Sequence, residues 1–270
     1  MTMPIDLVLV RHGESEGNIA KKQSEKGDHS LYSDEFLSRH SSKWRLTDRG
    51  IGQAQRAGIF IREQIRGYFD RYYTSDYLRA KETALHLELP DARWYVEFYL
   101  RERDRGDIDV VSQEELHTKY AEEMKRREID RFYWTPPNGE SMAQLCLRVD
   151  RVLDTLHREC SDKRVIIVCH GEVMWEFRVR LERMTQKGFS ELDVSKNPHD
   201  SIHNGQILHY TRRNPIGIKC RLEKHLNWMR SICPTDLALS SNDWKIIVRS
   251  SFSDTDLLYE IREFPRIINA

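Results

Sequence analysis

The chain lacks any apolar run near the roughly 18 residues of a membrane-spanning helix. Its longest, Ile5–Val10, is broken by Asp6. It also lacks an excess of either charge. Its 43 Lys and Arg balance 43 Asp and Glu, so the basic surplus of a nucleic-acid binder is missing. There is no CxxC pair. The five cysteines, at 146, 160, 169, 220 and 233, are odd in number and read as reduced cytoplasmic thiols rather than a disulfide framework. The opening Met1-Thr2-Met3-Pro4 has neither a basic region nor a long apolar stretch, so no secretory leader is expected. No repeat of fixed period and no low-complexity tract stand out. What is present is ample: 270 residues, 39% hydrophobic and 10% aromatic. A chain of that size buries well over half of its unfolded surface without staples. A cytoplasmic location is expected, with no membrane and no nucleic-acid partner.

Apolar, β-branched runs alternate with helical spacing. Residues 5–11 (IDLVLVR) read as a central strand, 69–74 as a second, 94–98 as a third and 164–169 (RVIIVC) as a fourth. Between them, Thr47 caps a helix carrying Ala54, Ala57, Ile61 and Ile65. Ser75 opens another from Asp76 to about Leu87, and helices are expected over 113–131, 140–160 and from His170 to about Met184. Residues 19–45 read as a long polar loop with at most one helical turn. Ile207–Tyr210 and Ile218–Leu222 read as a late hairpin, and the tail beyond about 225 as polar with short apolar patches. Strand–helix alternation predicts a single α/β domain over 1–270. Its expected architecture is a three-layer α/β/α sandwich with a mostly parallel sheet. Residues of about 93–145 form an inserted lid over the carboxyl ends of the strands, and about 225–270 a C-terminal extension.

In such sheets ligands bind beyond the strand carboxyl ends. Two strands finish alike, Val-Arg-His-Gly at 10–13 and Val-Cys-His-Gly at 168–171. Phosphoryl transfer without a metal needs a nucleophile, fixed positive charge and an acid for the leaving oxygen. His12 suits the nucleophile, kept neutral by nearby arginines and oriented through its other nitrogen by a carbonyl of the Gly13 turn. Arg11 offers a planar fork to phosphate oxygens, Arg79 a second, and His170 a further cationic donor. Glu102 is the candidate acid. The same arginines lower its pKa, so burial or bound dianion must raise it again.

Other chemistries fit less well. Counting from Cys169, the first arginine is Arg178, too far for a thiol-phosphatase loop. His199, His203 and His209 match no zinc spacing and read as surface histidines. Gly50 and Gly52 are followed by no Gly-Lys-Ser/Thr.

Together these segments resemble the histidine phosphatase superfamily, in its phosphoglycerate-mutase-like branch. Arg11-His12-Gly13-Glu14-Ser15 with Asn18 is similar to RHGESxxN, 46–54 to LTxxGxxQA, and 74–84 to TSxxxRAxxTA. Leu100-Arg101-Glu102-Arg103 with Gly106 resembles the acid loop, and His170-Gly171 the second histidine. The resemblance spans residues 5–171. It implies a phosphohistidine on His12, a phosphoryl group gripped by Arg11, Arg79 and His170, contact from Asn18, and a proton from Glu102. Asn204 matches a late polar position bordering the pocket. Arg103 joins the substrate-binding candidates, with a loop ion pair as its other reading. No cofactor and no metal are implied.

Two departures separate phosphatase from mutase. The 27 residues between Asn18 and Leu46 are mostly polar, unlike the short Trp-, Cys- and Gly-rich connection of mutases. Arg105 replaces the tyrosine of a mutase-like ERHYG at a substrate-facing position. Residues 132–141 (FYWTPPNGES) resemble a stretch of fungal and plant mutase-like broad-range phosphatases. The expectation is therefore a metal-independent phosphomonoester hydrolase. The alternatives are a cofactor-dependent phosphoglycerate mutase and a non-catalytic phospholigand-binding protein.

Overall fold

A computed structural model describes residues 2–216 and 221–268. Its strands are β1 (Asp6–Arg11), β2 (Arg71–Thr74), β3 (Trp94–Val96), β4 (Arg164–Cys169), β5 (Ile207–Thr211), β6 (Trp228–Ile232) and β7 (Ser241–Ile246). They form one sheet in the order β3-β2-β4-β1-β5-β6-β7. The β3-β2-β4-β1 half is parallel, and β5, β6 and β7 add an antiparallel half. The helices are α1 (Glu16–Ser24), α2 (Asp34–Ser38), α3 (Asp48–Gln64), α4 (Leu78–His86), α5 (Gln113–Thr118), α6 (Ala121–Ile129), α7 (Met142–Glu159), α8 (Gly171–Glu182), α9 (Gln186–Asp193) and α10 (Asp254–Arg262). Among the described residues no helix is long and apolar enough to cross a membrane.

The layers follow from strand alternation, which sends successive side chains to opposite faces. Leu7, Leu9, Val165 and Ile167 pack with Leu145, Val149, Val152 and Leu156 of α7 and with Val173 and Phe177 of α8. Val8, Val10, Ile166 and Val168 meet Ala57 and Ile61 of α3 and Ala80 and Ala84 of α4 on the other face. Both faces of the central strands are covered, as their near-continuous apolar sequence requires. Local signals fix the helix starts. Thr47 accepts a hydrogen bond from the Gly50 amide at 3.0 Å. Ser141 and Gln144 form a reciprocal capping box.

Four expectations need correction. Residues 19–45 carry most of α1, all of α2 and a 3₁₀ turn at Ser41–Lys43. Helix α1 buries only Ala20 and Ser24, so it leaves no apolar period to read. Ser75 does not cap α4, which starts after Tyr77; its hydroxyl accepts from the Tyr77 amide at 3.3 Å and lies 2.8 Å from His170 Nε2. The charged helix over 113–131 is broken between Thr118 and Ala121. Finally, the strand that follows β5 and pairs with it is β6; of the expected hairpin strand 218–222, residues 218–220 lie outside the described residues, and Leu222 bridges Arg213. The tail thus supplies two strands, with Trp228 and Ile232 buried.

Candidate active site

The parallel register builds the centre of the site. Arg11 lies opposite Cys169, so the next residues, His12 and His170, emerge side by side. The His12 amide donates to the Cys169 carbonyl at 3.0 Å, and the two rings stand 5.1 Å apart, edge to face. Thr74 lies opposite Val168 on the other side of β4. That register brings the Ser75 hydroxyl to 2.8 Å from His170 Nε2. Three strand ends are therefore level, and their first residues beyond the sheet, His12, His170 and Ser75, lie together, with His12 lining the cavity and His170 and Ser75 fully buried behind it.

Gly13 lets two loops meet there. A Cβ on Gly13 would collide with the Gly50 carbonyl, and one on Gly50 with the Glu14 carbonyl. The Gly13 amide donates to Thr83 Oγ1 at 3.0 Å, and that hydroxyl donates to the Arg79 carbonyl at 2.7 Å. Thus the His12 loop, the start of α3 and helix α4 are tied into one unit.

His12 Nδ1 donates to the Gly13 carbonyl at 2.7 Å, which leaves the lone pair on Nε2. Arg79 Nε donates to that nitrogen at 3.2 Å, while Arg79 Nη1 is anchored on the Ser41 carbonyl at 2.7 Å. His12 is pushed well below the ordinary histidine value by burial first, then by Arg79 and Arg11. It is a neutral, oriented imidazole. His170 is lowered the same way, by burial and then by Arg79, His12 and Arg11. This corrects its expected standing charge: without an anion it is neutral. Among the described residues its Nδ1 and Arg11 Nε are buried without hydrogen-bond partners.

Glu102 lines the same cavity. Its carboxyl is raised by burial and by the negative Glu172, against the pull of Arg79, the Arg103 amide and Arg105. Burial and repulsion therefore win over the arginines. Glu172, in the first turn of α8, goes the other way. Burial pushes it up, but Arg105 and Arg103 hold it well below the usual carboxylate range. Two carboxyls with opposite shifts are the arrangement from which acid and base roles arise.

The cavity holds about 370 Å³ and is lined by Arg11, His12, Asn18, Arg79 and Glu102 among others. Asn18 Oδ1 accepts from the Ser15 amide and from Asn204 Nδ2, each at 3.1 Å. Asn204 also donates to the His12 carbonyl at 3.1 Å. It lines the neighbouring cavity beside Arg49 and Gln53, so it braces the His12 loop from behind. Arg103 is turned away: it donates to the Glu140 carbonyl at 2.6 Å and to the Trp134 carbonyl at 3.4 Å, with Glu172 3.7 Å distant. Arg105, two residues on, lines the cavity instead, with Lys21 and Glu172.

Glu172, Lys21, Ser75 and Thr83 escaped sequence reasoning as site residues. Glu172 directly follows His170-Gly171, and that adjacency was the available signal. The expected surface histidines divide. His203 Nε2 meets the Pro198 carbonyl at 2.8 Å, whereas His209 is buried, 3.5 Å from Asp6.

Residues 7–204 match the family model of the histidine phosphatase superfamily, branch 1. The chain is 30% identical over 230 residues to human 6-phosphofructo-2-kinase/fructose-2,6-bisphosphatase 3, covering 85% of this chain and 38% of that protein. It therefore spans about two fifths of that relative. It is 31% identical over 201 residues to the 2,3-bisphosphoglycerate-dependent phosphoglycerate mutase of Azorhizobium caulinodans, covering 70% of this chain and 87% of that one. In structure it is similar to a putative alpha-ribazole-5'-P phosphatase from Escherichia coli, with a TM-score of 0.60 and 23% identity over 82% of this chain and 96% of that one. At that identity the likeness concerns the fold. With the matched region covering the strand ends, both histidines and the arginines between them, the chain belongs to the histidine phosphatase superfamily.

Proposed function

We propose that this protein hydrolyses a small phosphomonoester through a phosphohistidine on His12, as a cytoplasmic enzyme. His12 Nε2 attacks phosphorus and the ester P–O bond breaks. Glu102 gives its proton to the departing oxygen. Glu102, now a carboxylate, takes a proton from water; the resulting hydroxide attacks phosphorus, the P–N bond breaks and inorganic phosphate leaves. Arg11 and Arg79 balance the phosphoryl charge, and His170 donates to it through Nδ1 when the Ser75 hydroxyl donates to Nε2. Asn18 adds a polar contact, and Asn204 holds the His12 loop. The 93–145 segment, through Glu102, Arg105 and Ile108, supplies the roof of the cavity.

The observation that carries this reading is the oriented, neutral His12, with Nε2 facing Arg79, in one cavity with a carboxyl raised by burial. Phosphate release from a nitrophenyl ester in the presence of EDTA tests it. Wild type should turn over, and His12→Ala should not. The mutase reading has the Azorhizobium relative in its favour. It requires 3- to 2-phosphoglycerate conversion, dependent on 2,3-bisphosphoglycerate, to exceed phosphate release many-fold in the same preparation.

A further inference from the structure

The cavity has two chemically different ends. The inner end is lined by Arg11, His12 and Arg79; among the described residues Arg11 Nε is buried without a hydrogen-bond partner, as is Nδ1 of His170, whose ring stands 5.1 Å from that of His12, and these donors suit phosphoryl oxygens. At the outer end the buried atom lacking a partner is an acceptor, Glu172 Oε2. The outer wall carries Lys21 and Arg105 as its cations, but also Glu172, Asp109 and Asp200. Arg105 is already taken: its Nη2 donates to Glu172 Oε1 at 2.8 Å. Lys21 has Glu25 at 3.9 Å. Among the described residues neither Asp109 nor Asp200 has an ion-pair partner, while Asp193, on the same wall, is paired with Arg131 at 2.9 Å and Arg127 at 3.6 Å. A second anion on the substrate would enter a chamber whose arginine is neutralised and whose remaining carboxylates repel it.

We propose that the outer chamber selects a leaving alcohol that carries hydrogen-bond donors and no second anionic group, with Glu172 as the specificity-determining residue. The substrate class is a phosphomonoester of a neutral or ammonium-bearing polyol or amino alcohol. Glu172 Oε2 accepts from its hydroxyl or ammonium group. This rests on the hydrolase reading above and narrows it.

Glycerol 3-phosphate and 3-phosphoglycerate test the proposal, because they differ by a neutral hydroxymethyl against a carboxylate on the same skeleton. In wild type, kcat/KM for phosphate release should favour glycerol 3-phosphate at least tenfold. Glu172→Gln keeps an acceptor for Arg105 and removes the charge. It should shrink that ratio several-fold, chiefly by raising the 3-phosphoglycerate value. A nitrophenyl ester serves as the control for chemistry. Turnover of that ester with a wild-type ratio below tenfold, with neither three-carbon ester turned over, or with a ratio unmoved in Glu172→Gln, overturns the proposal alone. No release from any of the three esters overturns the hydrolase reading beneath it. The wild-type ratio stands even if the variant does not fold.

Discussion

At the scale of single residues, the candidate site runs on two shifts of opposite sign. His12 must be neutral to attack, and its pKa is depressed by burial and by Arg79 and Arg11. The acid limb of kcat/KM should therefore lie below the ordinary histidine value of about 6.5. Glu102 must be protonated to serve alkyl leaving groups, and burial and Glu172 raise it. Activity on alkyl esters should fall as pH rises through a value above the ordinary carboxylate pKa of about 4.3. Glu172→Gln removes the repelling charge and should move that falling limb to lower pH; a profile in which the limb stays in place counts against the coupling. Glu102→Gln should slow phosphoenzyme formation by roughly 10²–10⁴ with alkyl esters but far less with a nitrophenyl ester, whose leaving group needs no proton. Equal losses on both would assign the acid elsewhere. Most of this set was legible because His12, Arg79 and His170 sit in short motifs at strand ends. Glu172 was not, because an isolated glutamate at a helix start looks like any residue favoured by the helix dipole. Arg103 misled because a guanidinium two residues from the cavity-lining position can turn inward to backbone carbonyls, as it does toward Glu140 and Trp134.

At the scale of elements, the site depends on how closely two loops approach. Gly13→Ala or Gly50→Ala places a methyl group against a neighbouring backbone carbonyl, where no side chain can swing aside. Overpacking of this kind costs about 1–3 kcal/mol. Urea unfolding should show the loss of stability, and kcat should fall with it as His12 is displaced; an unchanged midpoint would refute the close approach. The strands and helices bearing strong apolar periodicity, β1, β4, α3 and α7, were readable to within a residue or two. Elements that bury little were not. Helix α1 hides two small residues, and α5 and α6 bury none of theirs, so no apolar period marked where the charged helix breaks. Strands β6 and β7 are half-exposed and owe their place to backbone pairing, β6 with β5 and β7 with β6, which sequence alternation does not record.

For the whole molecule, the C-terminal region completes the sheet. Leu226 and Ile247 join the core on one face, and Ile232 joins it on the other. Fully burying one such side chain stabilises by about 1.5–3 kcal/mol, against a total stability of about 5–15 kcal/mol. Truncation after residue 225 should therefore abolish cooperative urea unfolding; a sharp transition at the parent midpoint would show that β6 and β7 are dispensable. The central claim is that the intact chain carries phosphorus on one imidazole nitrogen. Glu102→Gln, mixed with a ³²P-labelled nitrophenyl ester and quenched in alkali, tests it most directly. The account predicts protein-bound label that is stable to base, labile to acid, located on the peptide containing His12 and missing when His12→Ala is added. Label that survives acid, or label that persists without His12, would contradict it.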